Sequence, residues 1–279
     1  MTEVALVGCS LAEDPDVPVL AAALERLGFT ATALAWDDED ADWSRFAATV
    51  IRSTWDYFSR LDEFLAWSRS VRSLINPASV VEWNSDKRYL EALRDAGVPT
   101  IDTQYLSAGD DATFPAGEFV VKPTVGGGSR GAARFASDDV KAARAHLDHL
   151  FDEGFDVMVQ PFVGSVDAVG ETDLIVIDGE VSHAIVKHAP LGATLTSKPA
   201  PPARSALAQP TAEHRAVAAA ALAVVPHDGP LCYARVDLVA TERGPAVIEL
   251  ELIEPYLFFD LDPSAAGLLA SAIARRATR

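Results

Sequence analysis

The chain has 279 residues, of which 49% are hydrophobic and 23% charged, so it is long enough to bury a large core. Acidic residues outnumber basic ones 41 to 23, and a formal charge of −18 disfavours nucleic-acid and membrane-surface partners because both are anionic. We find neither the roughly 20 consecutive apolar residues of a membrane span nor a secretion signal, and only two cysteines. We therefore expect a cytoplasmic α/β protein with free thiols.

The first third of the chain alternates strand and helix patterns. Apolar runs at residues 4–9, 30–36 and 48–53 predict strands, and apolar residues at helical spacing lie between them, up to Gly28. A second helix is predicted over residues 61–72. This alternation predicts a parallel, doubly wound sheet.

The rest of the chain predicts shorter helices and antiparallel strands. Residues 171–187 read as two strands around Asp178-Gly179, which favours a type I′ hairpin turn, and residues 188–209 read as a loop. The other predicted helices cover residues 86–96, 138–150, 211–224 and 263 onwards, and the other strands cover 119–123, 157–162, 233–240 and 246–252. We predict three parts: an N-terminal α/β domain (1–84), a central subdomain (85–163) and a C-terminal subdomain (164–279).

Three carboxylates are predicted to converge on the last two strands. Glu249 and Glu251 share one face about 6 to 7 Å apart, and Arg235 and Asp237 share a face of the preceding strand. Like charges at such distances disfavour joint ionisation, and a divalent cation such as Mg²⁺ or Mn²⁺ would relieve the conflict. The alternative is an acidic sheet face with Arg235 as its salt-bridge partner.

A lysine and a glycine-rich segment indicate an anion site. Lys122 ends a strand and precedes Gly126-Gly127-Gly128-Ser129, whose backbone N–H groups can line a phosphate-sized concavity. The spacing matches neither the Walker pattern nor the dinucleotide fingerprint, and a plain flexible turn is the alternative. Lys87 lies where a helix is predicted to start, a favourable place for an anion, although it is equally compatible with a solvated lysine.

The remaining sequence offers little support for other chemistry. The cysteines and histidines lack zinc-ligand spacing, and there is no nucleophile elbow. Gln160 lies where a strand meets a proline and stops pairing, which would leave backbone groups free to contact a base edge, although an ordinary strand end fits equally well.

The order of these features resembles the ATP-grasp superfamily along most of the chain. More specifically, six segments resemble the glutathione-synthetase-like subgroup that includes the O-ureido-D-serine cyclo-ligase of cycloserine biosynthesis. They are VIRSTWDYF (50–58), NPASVVEWNSDKRYL (76–90), FVVKPTVGGGSRG (119–131), VQPFV (159–163), YARVDLV (233–239) and ELELIEP (249–255). In the last, Glu251 stands where many relatives carry Asn.

The resemblance implies an ATP site and its cations. Lys87 and Lys122 would bind the phosphates beneath a lid formed by residues 125–131, including Gly126, Gly127, Gly128 and Ser129. Gln160, Phe162 and Val163 would face the adenine. Asp237, Glu249 and Glu251 would hold two Mg²⁺ ions, with Mn²⁺ as a substitute. Arg235 would steady the γ-phosphate or an acyl phosphate, and Lys187 would face the phosphates or the substrate.

One segment departs from the pattern of the relatives. They usually follow the lysine equivalent to Lys187 with Gly-Asp-Phe-Arg-Val, whereas residues 188–202 here contain no arginine before Arg204, and Lys198 is a candidate substitute. We expect the substrate at the carboxyl end of an N-terminal strand, where open α/β sheets bind ligands. The residues there are Arg52, Ser53, Thr54 and Asp56.

The leading hypothesis is an ATP-dependent carboxylate–amine ligase that acts through an acyl phosphate. Its partners would be a small-molecule carboxylate and amine, and the resemblance is compatible with a homodimer. One alternative is a nucleotide-binding homologue that has lost ligase activity, which the altered segment after Lys187 motivates. The other is a purely structural α/β domain.

Overall fold

The computed structural model describes residues 2–10, 13–188 and 204–278. Its N-terminal part contains a parallel four-stranded sheet. The sheet has the order β2-β1-β3-β4, and each neighbouring pair is parallel. Its strands are β1 (Thr2–Gly8), β2 (Phe29–Ala35), β3 (Ala48–Ser53) and β4 (Leu74–Ile75). The predicted parallel sheet is confirmed.

Helices cover both faces of this sheet. The described residues form eight α-helices: α1 (Asp16–Arg26), α2 (Leu61–Ser70), α3 (Ala78–Asn84), α4 (Tyr89–Asp95), α5 (Val140–Asp152), α6 (Ser165–Val169), α7 (Ala212–Leu222) and α8 (Ser264–Ala277). Leu20 and Leu24 of α1 pack with α8 and the apolar side chains of one sheet face. Phe64 of α2 packs with Trp36 on the other face. The sheet is therefore buried on both sides, as parallel sheets usually are.

The second and third sheets are antiparallel. The middle sheet has the order β5-β8-β6-β7, and the C-terminal sheet has the order β11-β10-β9-β12-β13. The middle strands are β5 (Gln104–Leu106), β6 (Phe119–Pro123), β7 (Ala133–Phe135) and β8 (Val157–Pro161). The C-terminal strands are β9 (Glu171–Ile177), β10 (Glu180–His188), β11 (Arg204–Ala208), β12 (Tyr233–Thr241) and β13 (Gly244–Glu251). Each sheet falls within one of the three predicted parts, whose boundaries remain a prediction.

The turn between β9 and β10 agrees with its sequence. Asp178 and Gly179 have φ angles of 53° and 84°, and two successive positive values are what a type I′ turn requires. This turn sets the register of the hairpin, in which Lys187 lies opposite Glu171.

Two sequence predictions need correction. The predicted loop at 188–209 contains strand β11, which pairs with β10, for example through Lys187↔Ser205. Because β11 is an edge strand, most of its side chains are exposed, and the apolar pattern of the sequence did not reveal it. The helix predicted from residue 86 starts at Tyr89, because Asp86 instead forms a turn in which its Oδ1 accepts the Arg88 N–H at 2.8 Å.

In the described part of the chain, no helix combines the length and apolar character needed to cross a bilayer.

Asn76 joins the N-terminal sheet to the C-terminal one. It follows β4, is only 2% exposed, and its amide donates to the carbonyl oxygens of Tyr233 and Leu252, each at 2.9 Å. Its Oδ1 accepts the Cys232 N–H at 3.1 Å. One buried side chain therefore satisfies three backbone groups on two segments of the C-terminal region.

Replacement of this residue, Asn76→Ala, leaves those backbone groups without partners. We expect the free energy of unfolding to fall by about 2–4 kcal/mol, because each unsatisfied buried group costs about 1–3 kcal/mol and relaxation recovers part of it. Urea denaturation measures the change. The exposed Gln209→Ala is the control and should change stability by less than about 0.5 kcal/mol. Equal stabilities for the two variants would contradict the bridging role.

Candidate active site

A cleft of about 1030 Å³, including space open to solvent, lies between the middle and C-terminal sheets. Most of the residues predicted to bind nucleotide or metal line this cleft. They are Lys87, Lys122, Gly126, Gly127, Gly128, Ser129, Gln160, Phe162, Val163, Lys187, Arg235, Glu249 and Glu251. Asp237 is 2% exposed and lies opposite Glu249 in the register of β12 and β13.

Two lysines enter the cleft from different elements. Lys87 precedes α4, and its Nζ lies 3.3 Å from Glu249 Oε1 while donating to the carbonyl of Gly126. Lys122 is on β6 opposite Met158 and makes no ion pair within the described ranges. Burial lowers the pKa of Lys122 and Lys87 lowers it further, although Glu249 opposes both effects. Two cations that line the same cleft are well placed to bind a polyanion.

The glycine-rich loop after β6 adopts conformations that its sequence requires. Gly126 has φ of 135°, which side chains rarely permit, and Gly131 has φ of 66°. A Cβ on Gly131 would also lie 2.9 Å from Pro123 Cγ. At its far side the loop reaches the N-terminal part, where the Arg130 guanidinium lies 4.1 Å from the centre of the Phe58 ring.

The predicted convergence of Asp237, Glu249 and Glu251 is present, with oxygen atoms of all three within 4.8 Å of one another. Burial raises the pKa of Glu251 to about 8, helped by Asp237 and Glu249 and opposed by Arg235. Burial also disfavours ionised Glu249, but Lys87 and Lys122 hold its pKa below the usual value. All donors in this cluster are hard oxygens, so the residues fit Mg²⁺ or Mn²⁺.

Arg235 is engaged within this cluster. Its Nε and Nη2 donate to the two oxygens of Asp237, each at 2.8 Å, and Nη2 also pairs with Glu251. Its Nη1 donates to the carbonyl of Tyr256 at 3.2 Å. In this structure Arg235 therefore makes the salt bridges that the alternative interpretation predicted. A contact with phosphate would require Arg235 to share its hydrogen-bond donors between the phosphate and these partners.

A second acidic group, missed in the sequence, surrounds Lys187. Its Nζ lies 3.0 Å from Glu171, 3.2 Å from Asp173 and 3.5 Å from Asp237. Asp173 is completely buried, neither of its oxygens has a hydrogen-bond partner among the described residues, and burial together with Asp237 raises its pKa to about 7. Glu171 and Asp173 show the same i, i+2 spacing as Glu249 and Glu251, a signal that could have revealed them.

Gln160, Phe162 and Val163, the residues expected to face the adenine, also line the cleft. Gln160 is buried on β8, and its Nε2 donates to Thr103 Oγ1 at 2.9 Å. The Phe162 N–H donates to the Glu118 carbonyl at 2.8 Å, so this amide is already used and differs from the free group expected at a strand end.

The residues predicted to contact substrate, Arg52, Ser53, Thr54 and Asp56, do not line the cleft. Arg52 is completely buried, donates to the Pro255 carbonyl at 2.8 Å, and lies 3.9 Å from both Asp14 and Asp16. Asp56 accepts the Trp36 indole N–H at 2.9 Å. The end of β3 is covered by neighbouring segments. The predictions for residues 189–203, including Lys198, lie outside the described residues.

Comparison with known proteins defines the class. The chain can be superposed on a D-alanine–D-alanine ligase from Bacillus anthracis complexed with ATP, with a TM-score of 0.70, 15% identity and coverage of 100% of this chain and 98% of the other. It also superposes on the ATP-grasp ligase PsnB complexed with a minimal precursor, Mg and ADP, with a TM-score of 0.64, 18% identity and coverage of 99% and 98%. With the cleft described above, these similarities define an ATP-grasp fold.

The sequence comparisons are narrower. The cycloserine biosynthesis protein DcsG of Streptomyces lavendulae is 42% identical over an alignment of 286 positions, which covers 96% of this chain and 95% of that protein. The crystal structure of D-cycloserine synthetase DcsG matches with a TM-score of 0.89, 39% identity and 99% coverage of both chains. Residues 4–77 match the family model of the N-terminal domain of D-cycloserine synthetase. The chain belongs to this family of ATP-dependent ligases.

Removal of the second lysine, Lys122→Ala, tests the phosphate site. We expect the KM for ATP to rise about 10- to 100-fold, because a charge-assisted contact contributes about 1.5–3 kcal/mol. Steady-state ADP release measures the change. The control is Lys141→Ala on the exposed face of α5, which should leave the KM unaltered. Equal values for both variants would remove Lys122 from the phosphate site.

The raised pKa of Glu251 predicts that divalent-cation affinity depends on pH. Below pH 8 the Glu251 carboxyl of the metal-free protein is protonated, so a bound cation must displace that proton. The Kd for Mn²⁺ should therefore fall by up to about tenfold per pH unit between pH 6.5 and 8 and level off above. Calorimetry on the protein loaded with a non-hydrolysable ATP analogue measures it. Glu251→Ala should reduce the slope between pH 7 and 8, where Glu251 titrates, and a constant Kd in the wild type would refute the assignment.

Proposed function

We propose that this protein is an ATP-dependent cyclo-ligase that closes a ring within an O-ureido-D-serine-type amino acid. The observation that supports this proposal most strongly is that one cleft beside a glycine-rich loop contains two lysines and a carboxylate cluster. The lysines are Lys87 and Lys122, and the carboxylates belong to Asp237, Glu249 and Glu251. The relative named for cycloserine biosynthesis supports this substrate. Two metal ions, a cytoplasmic location and a homodimer remain predictions.

In the first step, a substrate carboxylate oxygen attacks the γ-phosphorus of ATP. The new P–O bond forms as the bond to the β,γ-bridging oxygen breaks, and ADP leaves. Lys87 and Lys122 neutralise charge on the phosphates, and the glycine-rich loop excludes water. Asp237, Glu249 and Glu251 would hold Mg²⁺, which supplies further neutralisation of the phosphate oxygens when bound.

In the second step, the substrate nitrogen attacks the carbonyl carbon of the acyl phosphate. The C–N bond forms, the C–O bond to phosphate breaks, inorganic phosphate leaves and the nitrogen loses its proton to solvent. The ring nitrogen then still carries the carbamoyl group of the ureido substituent. Water cleaves that N–C bond, so that the carbamoyl group leaves as carbon dioxide and ammonia and the ring nitrogen of cycloserine regains a proton. No protein nucleophile is needed, in agreement with Cys232, whose thiol is buried and has its pKa raised to about 12. Positioning of the two reacting groups supplies most of the acceleration.

The decisive experiment is ADP release with O-ureido-D-serine as the probe. We expect release that requires both Mg²⁺ and the amino acid, with cycloserine as the product detected by mass spectrometry. Glu251→Ala should lower kcat by at least about 100-fold while preserving the fold, because it removes one donor of the cation cluster. The exposed Glu180→Ala is the matched control and should keep full activity.

ADP release, measured together with thermal stability in the presence of ATP and Mg²⁺, separates the alternatives. A nucleotide-binding homologue without ligase activity would be stabilised thermally by ATP and Mg²⁺, yet would release no ADP with any carboxylate and amine. A structural domain would show no stabilisation by ATP at all. ADP release that does not depend on the amino acid would refute the ligase proposal, since it would be simple hydrolysis.

A further inference from the structure

Glu254 occupies a position that the proposed chemistry has not used. It follows the metal-site strand β13 by three residues, after the buried Leu252 and Ile253. A Cβ placed on Gly127 would lie 3.7 Å from Glu254 Oε1, so the carboxylate borders the glycine-rich loop. From the N-terminal part, the Trp55 indole donates to the Glu254 carbonyl at 3.2 Å.

Three parts of the chain therefore meet at this residue. The turn that carries Trp55 also carries Phe58, which is covered by Arg130 of the glycine-rich loop. The end of β13, the loop and the N-terminal turn are thus neighbours around Glu254. Glu254 does not itself line the cleft, but it borders Gly127, which does. In the proposed reaction the substrate carboxylate must reach the γ-phosphate beneath this loop, so a substrate would lie within reach of Glu254.

The charge balance sets Glu254 apart from its neighbours. Every carboxylate of the two acidic groups described above has a cationic side chain within 4.0 Å. Lys87 lies beside Glu249, Arg235 beside Asp237 and Glu251, and Lys187 beside Glu171 and Asp173. Among residues 2–10, 13–188 and 204–278, Glu254 makes no such ion pair. Burial raises its pKa to about 7, with Glu249 adding to the effect of burial and Lys87 opposing it.

An unpaired, poorly solvated carboxylate favours a cationic ligand. A substrate carboxylate would be repelled from it, whereas an ammonium group would supply the missing charge. An α-amino acid carries its ammonium one carbon away from its carboxylate. An ammonium held at Glu254 would therefore turn the substrate's own carboxylate away from Glu254 and toward the phosphates bound in the cleft.

We propose that Glu254 binds the α-ammonium group of the amino-acid substrate and so determines the specificity for amino acids over simple carboxylic acids. This inference rests on the proposed function for the identity of the substrate. It assigns to Glu254 a contact with the substrate, and none with the nucleotide or with the metal ion.

The test compares O-ureido-D-serine with 3-(ureidooxy)propanoate, which lacks only the α-amino group. Calorimetric titration into protein loaded with a non-hydrolysable ATP analogue and Mg²⁺ gives the two Kd values. We expect the wild type to prefer the amino compound by about 10- to 100-fold, and Glu254→Gln to lose most of this preference by weakening that compound alone. The thermal stabilisation by ATP and Mg²⁺ should be unchanged.

The control is Glu180→Gln, a matched change at an exposed position outside the cleft, which should retain the wild-type preference. Retention of the preference in Glu254→Gln would overturn the inference, as would no binding of either compound to the wild type. Loss of the stabilisation by ATP and Mg²⁺ would also overturn it, because Glu254 would then be a metal ligand. Glu254-dependent binding without ADP release would refute only the ligase proposal.

Discussion

A row of three carboxylates across adjacent strands, two of them buried, is the constraint on which the rest of the site depends. Asp173, Asp237 and Glu249 are successive partners in the register of β9, β12 and β13. Facing residues on neighbouring antiparallel strands have Cβ atoms about 4.5–5.5 Å apart, and like charges at that distance are destabilising. The sheet tolerates this row because Lys187, Arg235 and Lys87 supply positive charge from three different directions.

The position of Lys87 is fixed by polar contacts between helices α3 and α4 and the end of β13. Lys87 depends on the start of α4, which is fixed because the Tyr89 hydroxyl accepts the Leu250 N–H at 2.8 Å. Asn84 adds two further bonds to the same strand end, through the Leu250 carbonyl at 2.7 Å and the Leu252 N–H at 2.8 Å. The polar residues around α3 and α4 therefore hold Lys87 and strand β13 at one separation.

Local patterns in the sequence predicted the features that depend on short-range geometry. The convergence of Asp237 with Glu249 and Glu251 follows from strand alternation and a short turn, and the hairpin at Asp178 follows from the turn residues. The contribution of Asp173 could not be predicted in this way. β9 and β12 are neighbours in the sheet, but they are separated in the chain by β10, β11 and α7.

Long-range contacts also explain why the residues predicted to contact the substrate do not line the cleft. The end of a parallel strand is a reasonable place for a ligand, and Arg52 lies there. The sequence contains no local sign that Asp16 would accept the N–H groups of Leu257 and Phe259, at 2.8 and 3.0 Å, and draw that segment over the strand end. The carboxylate of Asp16 and the guanidinium of Arg52 thus serve the junction between the N-terminal and C-terminal parts.

The contact of Arg130 with Phe58 has a thermodynamic consequence. One partner belongs to the loop beside the nucleotide cleft and the other to the N-terminal turn, so any displacement of the loop relative to that turn changes the same interaction free energy. A ligand that favours one arrangement of the pair then alters the affinity for a ligand on the other side, and linkage requires the two factors to be equal. If the nucleotide and the amino acid bind on the two sides as proposed, this one cation–aromatic contact would contribute equally to the effect of each ligand on the affinity for the other.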